Sequence, residues 1–156
     1  MLHETFELRE EGSRADARLE IYIQEYSQSV AIQERPMVLL CPGGGYGYTS
    51  DREAEPIALQ FLSMGYHAAV LRYSCAPARY PTALLELARS VLLIREHAVQ
   101  WHVDTDRLVI QGCSAGGHLA ACYAMFWNRQ WLREKAGVAD RDPDHRLLRP
   151  NGLLLC

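Results

Sequence analysis

One serine set among glycines is the residue in this chain best placed to attack a carbonyl carbon. Gly112, Ser114 and Gly116 form a G-x-S-x-G run, with Gly117 following, between the apolar stretch Leu108–Gln111 and a small-residue stretch beginning near Ala115. A strand that reverses into a helix within so few residues forces its central residue into a strained backbone conformation. Glycines on both sides remove the Cβ clashes that such a reversal creates. The serine then stands at the carboxyl end of a strand, beside the positive end of the new helix, where negative charge is favoured. A Gly-rich turn that binds an anion, or merely turns, has the same spacing. The strand before and the helix after favour a nucleophile at Ser114.

Gly43, Gly44 and Gly45 are the second informative cluster, at the end of the apolar run Pro36–Cys41. Three glycines leave backbone amides uncovered and able to approach a ligand oxygen. No Lys-Ser or Lys-Thr follows, so a P-loop is excluded, and the spacing is not that of a dinucleotide fingerprint. Parallel strands present their carboxyl ends on one rim, which should bring this loop beside Ser114. A nucleophile with bare amides on the same rim is suited to acyl transfer, whose tetrahedral intermediate needs a pre-positioned oxyanion hole. Ala115 would supply one amide and Gly44 and Gly45 the others. Tyr46 and Tyr48, beside the loop, are candidates to line an acyl or alcohol pocket, although aromatic residues there can equally be packing. Cys113, inside the elbow, is given no nucleophilic role.

These residues need a frame. Phe6 and Leu8, then Ala17, Leu19, Ile21 and Ile23, alternate with polar residues, which predicts antiparallel strands within residues 4–32 turning at Glu11–Ser13. The unbroken run Pro36–Cys41 reads as a strand covered on both faces. A helix is expected from Asp51 to Met64, with Ser50 and Glu53 at capping-box spacing or Pro56 at its first position, ended by Gly65. His67–Tyr73 is the next buried strand, and Thr82–Gln100 a long helix with Leu84, Leu87, Ala88, Val91, Leu92 and Ala98 on one face. Arg95 lies within that face and calls for a carboxylate, for which Asp104 and Asp106 are candidates. After the elbow comes a helix apolar nearly all round, then a polar connection over 133–149 whose Asp140, Asp142 and Asp144 read as solvated charges. Leu153–Cys156 reads as a buried strand just begun. Strand and helix alternating in this way predict an α/β fold: one domain over 1–156, a mostly parallel sheet with an antiparallel N-terminal strand pair, incomplete at its C-terminus.

Composition narrows the function classes. Hydrophobic residues make up 49% of the 156, enough for a packed core, and a net charge of −3 lacks the basic footprint of a nucleic-acid binder. No apolar run is long enough to span a bilayer, so no membrane partner is expected. Five scattered cysteines show neither metal-ligand spacing nor a disulfide framework. With no leader-like segment at Met1–Glu7, they are expected to be reduced, mostly buried thiols of a cytoplasmic protein. No metal or organic cofactor is implied.

The runs Pro42–Tyr46, Thr49–Pro56, Leu71–Ser74 and Gly112–Ala120 together resemble α/β-hydrolases of the small acetyl-esterase and acetyl-xylan-esterase group, over roughly residues 35–156. Pro42 stands where many hormone-sensitive-lipase-type relatives have histidine, a departure that leaves the amide donors intact. The resemblance implies hydrolysis of short-chain acyl esters, acetyl esters above all, through an acyl-serine, with a small-molecule ester as the partner. It also implies a triad in the order Ser, Asp or Glu, His. That acid and base are expected after later strands, outside this chain, so the chain alone is expected to be inactive. His118 is expected to pack near the elbow as a neutral neighbour rather than serve as base, and His145 to lie in the polar connection. A formamidase-like hydrolase of the same fold and a non-catalytic remnant acting through interactions are the alternatives.

Overall fold

The computed structural model describes residues 1–156. Its centre is β3 (Arg35–Cys41), whose apolar residues alternate between two covered faces. Met37, Leu39 and Cys41 join a large core on one face, and Val38 and Leu40 a smaller one on the other. Around it lie β1 (Leu2–Glu7), β2 (Arg18–Ile23), β4 (His67–Arg72), β5 (Val103–Gly112) and β6 (Gly152–Leu155). The six strands run in the order β1-β2-β4-β3-β5-β6. Strands β4, β3, β5 and β6 are parallel, while β1 and β2 pair antiparallel to each other and β2 to β4. The expected parallel sheet with its antiparallel N-terminal pair is therefore the observed one.

Helix α1 (Glu55–Ser63) covers the smaller core. Helices α2 (Thr82–Glu96), α3 (Ala98–Trp101), α4 (Ala115–Phe126) and α5 (Gln130–Lys135) contribute residues to the larger one. The crossovers through α1, α2 with α3, and α4 with α5 return each parallel strand to the same direction. The carboxyl ends of β3, β4 and β5 consequently share one rim, where the elbow and the glycine loop emerge. No helix is long and apolar enough to cross a membrane.

Several local expectations are corrected. The first helix is split into a 3-10 turn over Asp51–Glu53 and α1, and Ser50 makes no side-chain cap. The helix expected over 82–100 breaks at His97. Strand pairing of β2 ends at Ile23, short of residue 32, and Tyr22 on its polar side is buried because α1 covers that face too. Arg95 finds no carboxylate: it donates to the carbonyls of Thr105 (3.1 Å) and Arg149 (2.6 Å), while Asp104 pairs with Arg107. Asp142 is no solvated charge. It is buried against the equally buried Arg133 at 3.1 Å and accepts the amides of Arg146 and Leu147. Nor is the connection after α4 merely polar, since Val138 and Leu148 are fully buried. All five cysteines are free, but only Cys41 and Cys75 are buried; Cys156 is exposed.

Candidate active site

The serine elbow is built from close backbone packing. Ser114 has φ 51° and ψ −116°, a left-handed conformation that costs a non-glycine residue about 1–3 kcal/mol unless its surroundings impose it. Here they do. The Ser114 amide donates to the Cys156 carbonyl at 2.8 Å, the Cys156 amide to Gly112 at 2.9 Å, and the Cys113 amide to Cys41 at 3.1 Å. A Cβ on Gly116 would lie 1.9 Å from the Cys41 carbonyl oxygen, and one on Gly112 would lie 2.2 Å from that of Gly116. Gly117 is less constrained, its Cβ position lying 3.1 Å from the Gly112 oxygen. The side chain of Ser114 is left exposed at the N-terminus of α4.

The glycine loop passes directly over this turn. A Cβ on Gly43 would lie 2.8 Å from the Cys113 oxygen and 3.1 Å from Ser114 Cβ. The Gly43 amide is held by Glu53 Oε2 at 2.6 Å, the Gly43 carbonyl by the Ser50 amide at 2.9 Å, and the Pro42 carbonyl by the Tyr73 hydroxyl at 2.5 Å. Gly44 (φ 132°) and Gly45 (φ 61°) turn the chain back, and a Cβ on Gly44 would strike the Tyr48 carbonyl oxygen at 2.1 Å. The amides of Gly44, Gly45 and Ala115 donate to no acceptor within the protein. Two unpaired amides thus lie on a braced loop whose Gly43 packs against Ser114, and a third opens α4.

The two tyrosines separate. Tyr46, itself at φ 61°, is fixed at both ends: its carbonyl accepts the Ala76 amide at 2.7 Å and its hydroxyl meets His118 Nδ1 at 2.9 Å. Burial, then the nearby sulfurs of Cys122, Cys41 and Cys75, push its phenol up to about 12, so the hydroxyl stays protonated at neutral pH. With the segment Ser74–Pro81, part of α2, and His118, Leu119 and Cys122 of α4, it encloses a cavity of about 260 Å³. Tyr48 is exposed and lies instead in a polar cleft with Arg14, Arg18 and Arg72.

No histidine side chain hydrogen-bonds Ser114. His118 is exposed, and its ring turns to the Tyr46 hydroxyl and to Cys122 Sγ (3.6 Å). His145 meets Asn128, His67 accepts the Gln24 amide, and His97 meets the Leu93 carbonyl. His3 and His102 stack on Tyr22 and Tyr26. No cluster of three or more His, Cys, Asp or Glu is arranged to hold a metal ion.

Three contributors escaped the sequence reading. Glu53 stands at capping-box spacing from Ser50, yet its carboxylate holds the glycine loop. Tyr73 and Cys156 act through a hydroxyl and a carbonyl whose partners lie 31 and 42 residues away. A carboxylate ten residues after Gly43 was the only available signal, and its capping-box spacing pointed elsewhere.

The family model described as BD-FAE matches residues 19–146. Endo-1,4-beta-xylanase B of Butyrivibrio fibrisolvens is 30% identical over 128 residues, which is 78% of this chain and 19% of that protein. Esterase LipQ of Mycobacterium tuberculosis (strain ATCC 25618 / H37Rv) is 30% identical over 107 residues, 67% of this chain and 25% of that one. Among solved structures, the carboxylesterase Cest-2923 of Lactobacillus plantarum WCFS1 superposes with a TM-score of 0.82 at 29% identity, covering 99% of this chain and 55% of the other. The chain thus spans a quarter or less of these two curated relatives and about half of the matched structure.

Proposed function

The chain belongs to the BD-FAE family and has the α/β-hydrolase fold, and from that premise we propose that it carries the nucleophile and oxyanion half of a serine carboxylic ester hydrolase. The observation that carries this reading is the exposed Ser114 in a left-handed conformation against Gly43 of a loop whose Gly44 and Gly45 amides, like that of Ala115, are unpaired. In the proposed reaction Ser114 Oγ attacks the ester carbonyl. The developing oxyanion takes the place those amides leave open, where such donors, fixed before reaction, are worth about 2.7–4 kcal/mol each. The alcohol departs and leaves an acyl-serine, which water then hydrolyses. Small acyl esters, acetyl esters among them, are the proposed substrates.

Both halves of that cycle need a base to take the proton of Ser114 and then of water. Every histidine of residues 1–156 is engaged away from Ser114, so we assign the base, and the acid that orients it, to polypeptide outside these residues. The test is hydrolysis of p-nitrophenyl acetate by residues 1–156 and by a form extended with the later strands of a family member, each with a Ser114→Ala control. Activity confined to the extended form and lost in its Ser114→Ala variant is the expected result. Equal activity in the extended form and its alanine variant would overturn the assignment of Ser114.

A further inference from the structure

The cavity beside Tyr46 has walls of one kind and a rim of another. Cys75, Ala78, Ala83, Leu84 and Leu119 make its sides apolar. Ser74 adds a hydroxyl, but that group donates to the fully buried Glu86 at 2.5 Å, and the same carboxylate also takes the Ser74 amide and the Ser13 hydroxyl. The one buried carboxylate under the cavity is therefore occupied by three donors. Arg79 is different. It lines the cavity, is exposed, and its guanidinium makes neither a hydrogen bond nor an ion pair, whereas nine other basic side chains join the ion pairs of this chain.

We propose that this cavity binds an apolar group ending in an anion, with the stem against the small apolar walls and the anion on Arg79. The inference rests on the ester-hydrolase reading for its consequence: the favoured substrate is an ester one half of which is a short apolar chain with an anionic end. At about 30 Å³ per water, 260 Å³ holds roughly nine waters, space for several methylenes and more than an acetyl group fills. Removing those methylenes from water supplies affinity. A guanidinium at an apolar rim supplies charge selection, because Arg matches carboxylate and phosphate geometry with a rigid fork.

Binding can be read without turnover. Hexanoate and hexanamide share a stem and differ in charge, so each is titrated by calorimetry into the Ser114→Ala chain. Hexanoate should bind at least about threefold tighter, the scale of an exposed ion pair. Arg79→Gln should erase that preference, and Ala83→Phe, which fills the cavity, should remove both ligands; Ala78→Phe serves as a second filling variant, and circular dichroism verifies the fold of each. Monomethyl adipate and 4-acetoxybutanoate then place the anion on the acid or the alcohol half, and the one whose binding falls in Arg79→Gln identifies the half. Equal binding of hexanoate and hexanamide, no binding of either, a preference that survives Arg79→Gln, or binding indifferent to both filling variants would each overturn the proposal. None of these outcomes bears on whether Ser114 is acylated, so the two readings fail separately.

Discussion

At the scale of single residues, Glu53, Tyr73 and Cys156 brace the backbone around Ser114. Glu53 accepts the Gly43 amide at 2.6 Å, and Glu53→Ala leaves that donor without a partner next to the elbow. A stability loss of about 1–3 kcal/mol in urea unfolding follows, together with slower Ser114 acylation in an active extended form. Gly116→Ala should be far worse, since its Cβ would sit 1.9 Å from the Cys41 oxygen and no rotamer can relieve a backbone clash. Failure to recover soluble folded protein is the expected outcome. His67 gives a pH signature. Its ring is buried, Nδ1 accepts the Gln24 amide at 3.1 Å, and burial above all lowers it from 6.5 to about 4. The folded state thus holds a neutral imidazole that the unfolded chain protonates below about 6.5. Stability from this residue is complete above that value and is lost as pH falls towards 4. The urea midpoint should drop between pH 7 and pH 5 in the parent more than in His67→Gln; an identical drop would show that His67 is not responsible.

At the scale of elements, the strands and the elbow were legible because their signals are local. Period-two alternation in β2, an unbroken apolar run in β3 and G-x-S-x-G at the end of β5 each follow from neighbouring residues. Contacts set by distant chain were not legible. Arg95 was expected to need a carboxylate, but the fold brings it two carbonyls, one of them 54 residues away. The polar look of 133–149 concealed a structural pair. Asp142 is held below the usual carboxylate range: burial pushes it up, but the Arg146 and Leu147 amides and Arg133 more than offset that. The pair anchors the connection between α5 and β6, the strand whose end grips Ser114. Breaking a buried pair by removing one partner costs about 3–5 kcal/mol. Asp142→Ala should therefore lower stability by that order and loosen the Cys156–Ser114 contact, detectable as faster amide exchange at Ser114. Exchange unchanged at Ser114 would mean that β6 is held independently of the pair.

At the scale of the whole molecule, the proposed nucleophile and its proposed oxyanion donors occupy one rim of a sheet in which β6 is an edge strand. Leu154 and Leu155 on that edge are about half exposed, at 46% and 56%. Exposed apolar edge strands template association, so Leu155→Lys should raise the concentration at which residues 1–156 remain monomeric in sedimentation. The rim itself was visible in the sequence as two glycine motifs following two buried strands. That the base lies outside these residues was expected from the sequence, and the partners of the six histidine rings agree with it. Ser114 is thus proposed to be a competent nucleophile lacking its base within residues 1–156, and chemical rescue tests this most directly. Residues 1–156 are incubated with p-nitrophenyl acetate with and without imidazole, and acetylation of each serine is read by peptide mass spectrometry. Acetyl accumulating on Ser114 above every other serine, increased by imidazole and absent from that peptide in Ser114→Ala, is the predicted result. Ser114 acetylated no faster than the exposed Ser27 and Ser29, with imidazole present, would contradict the account.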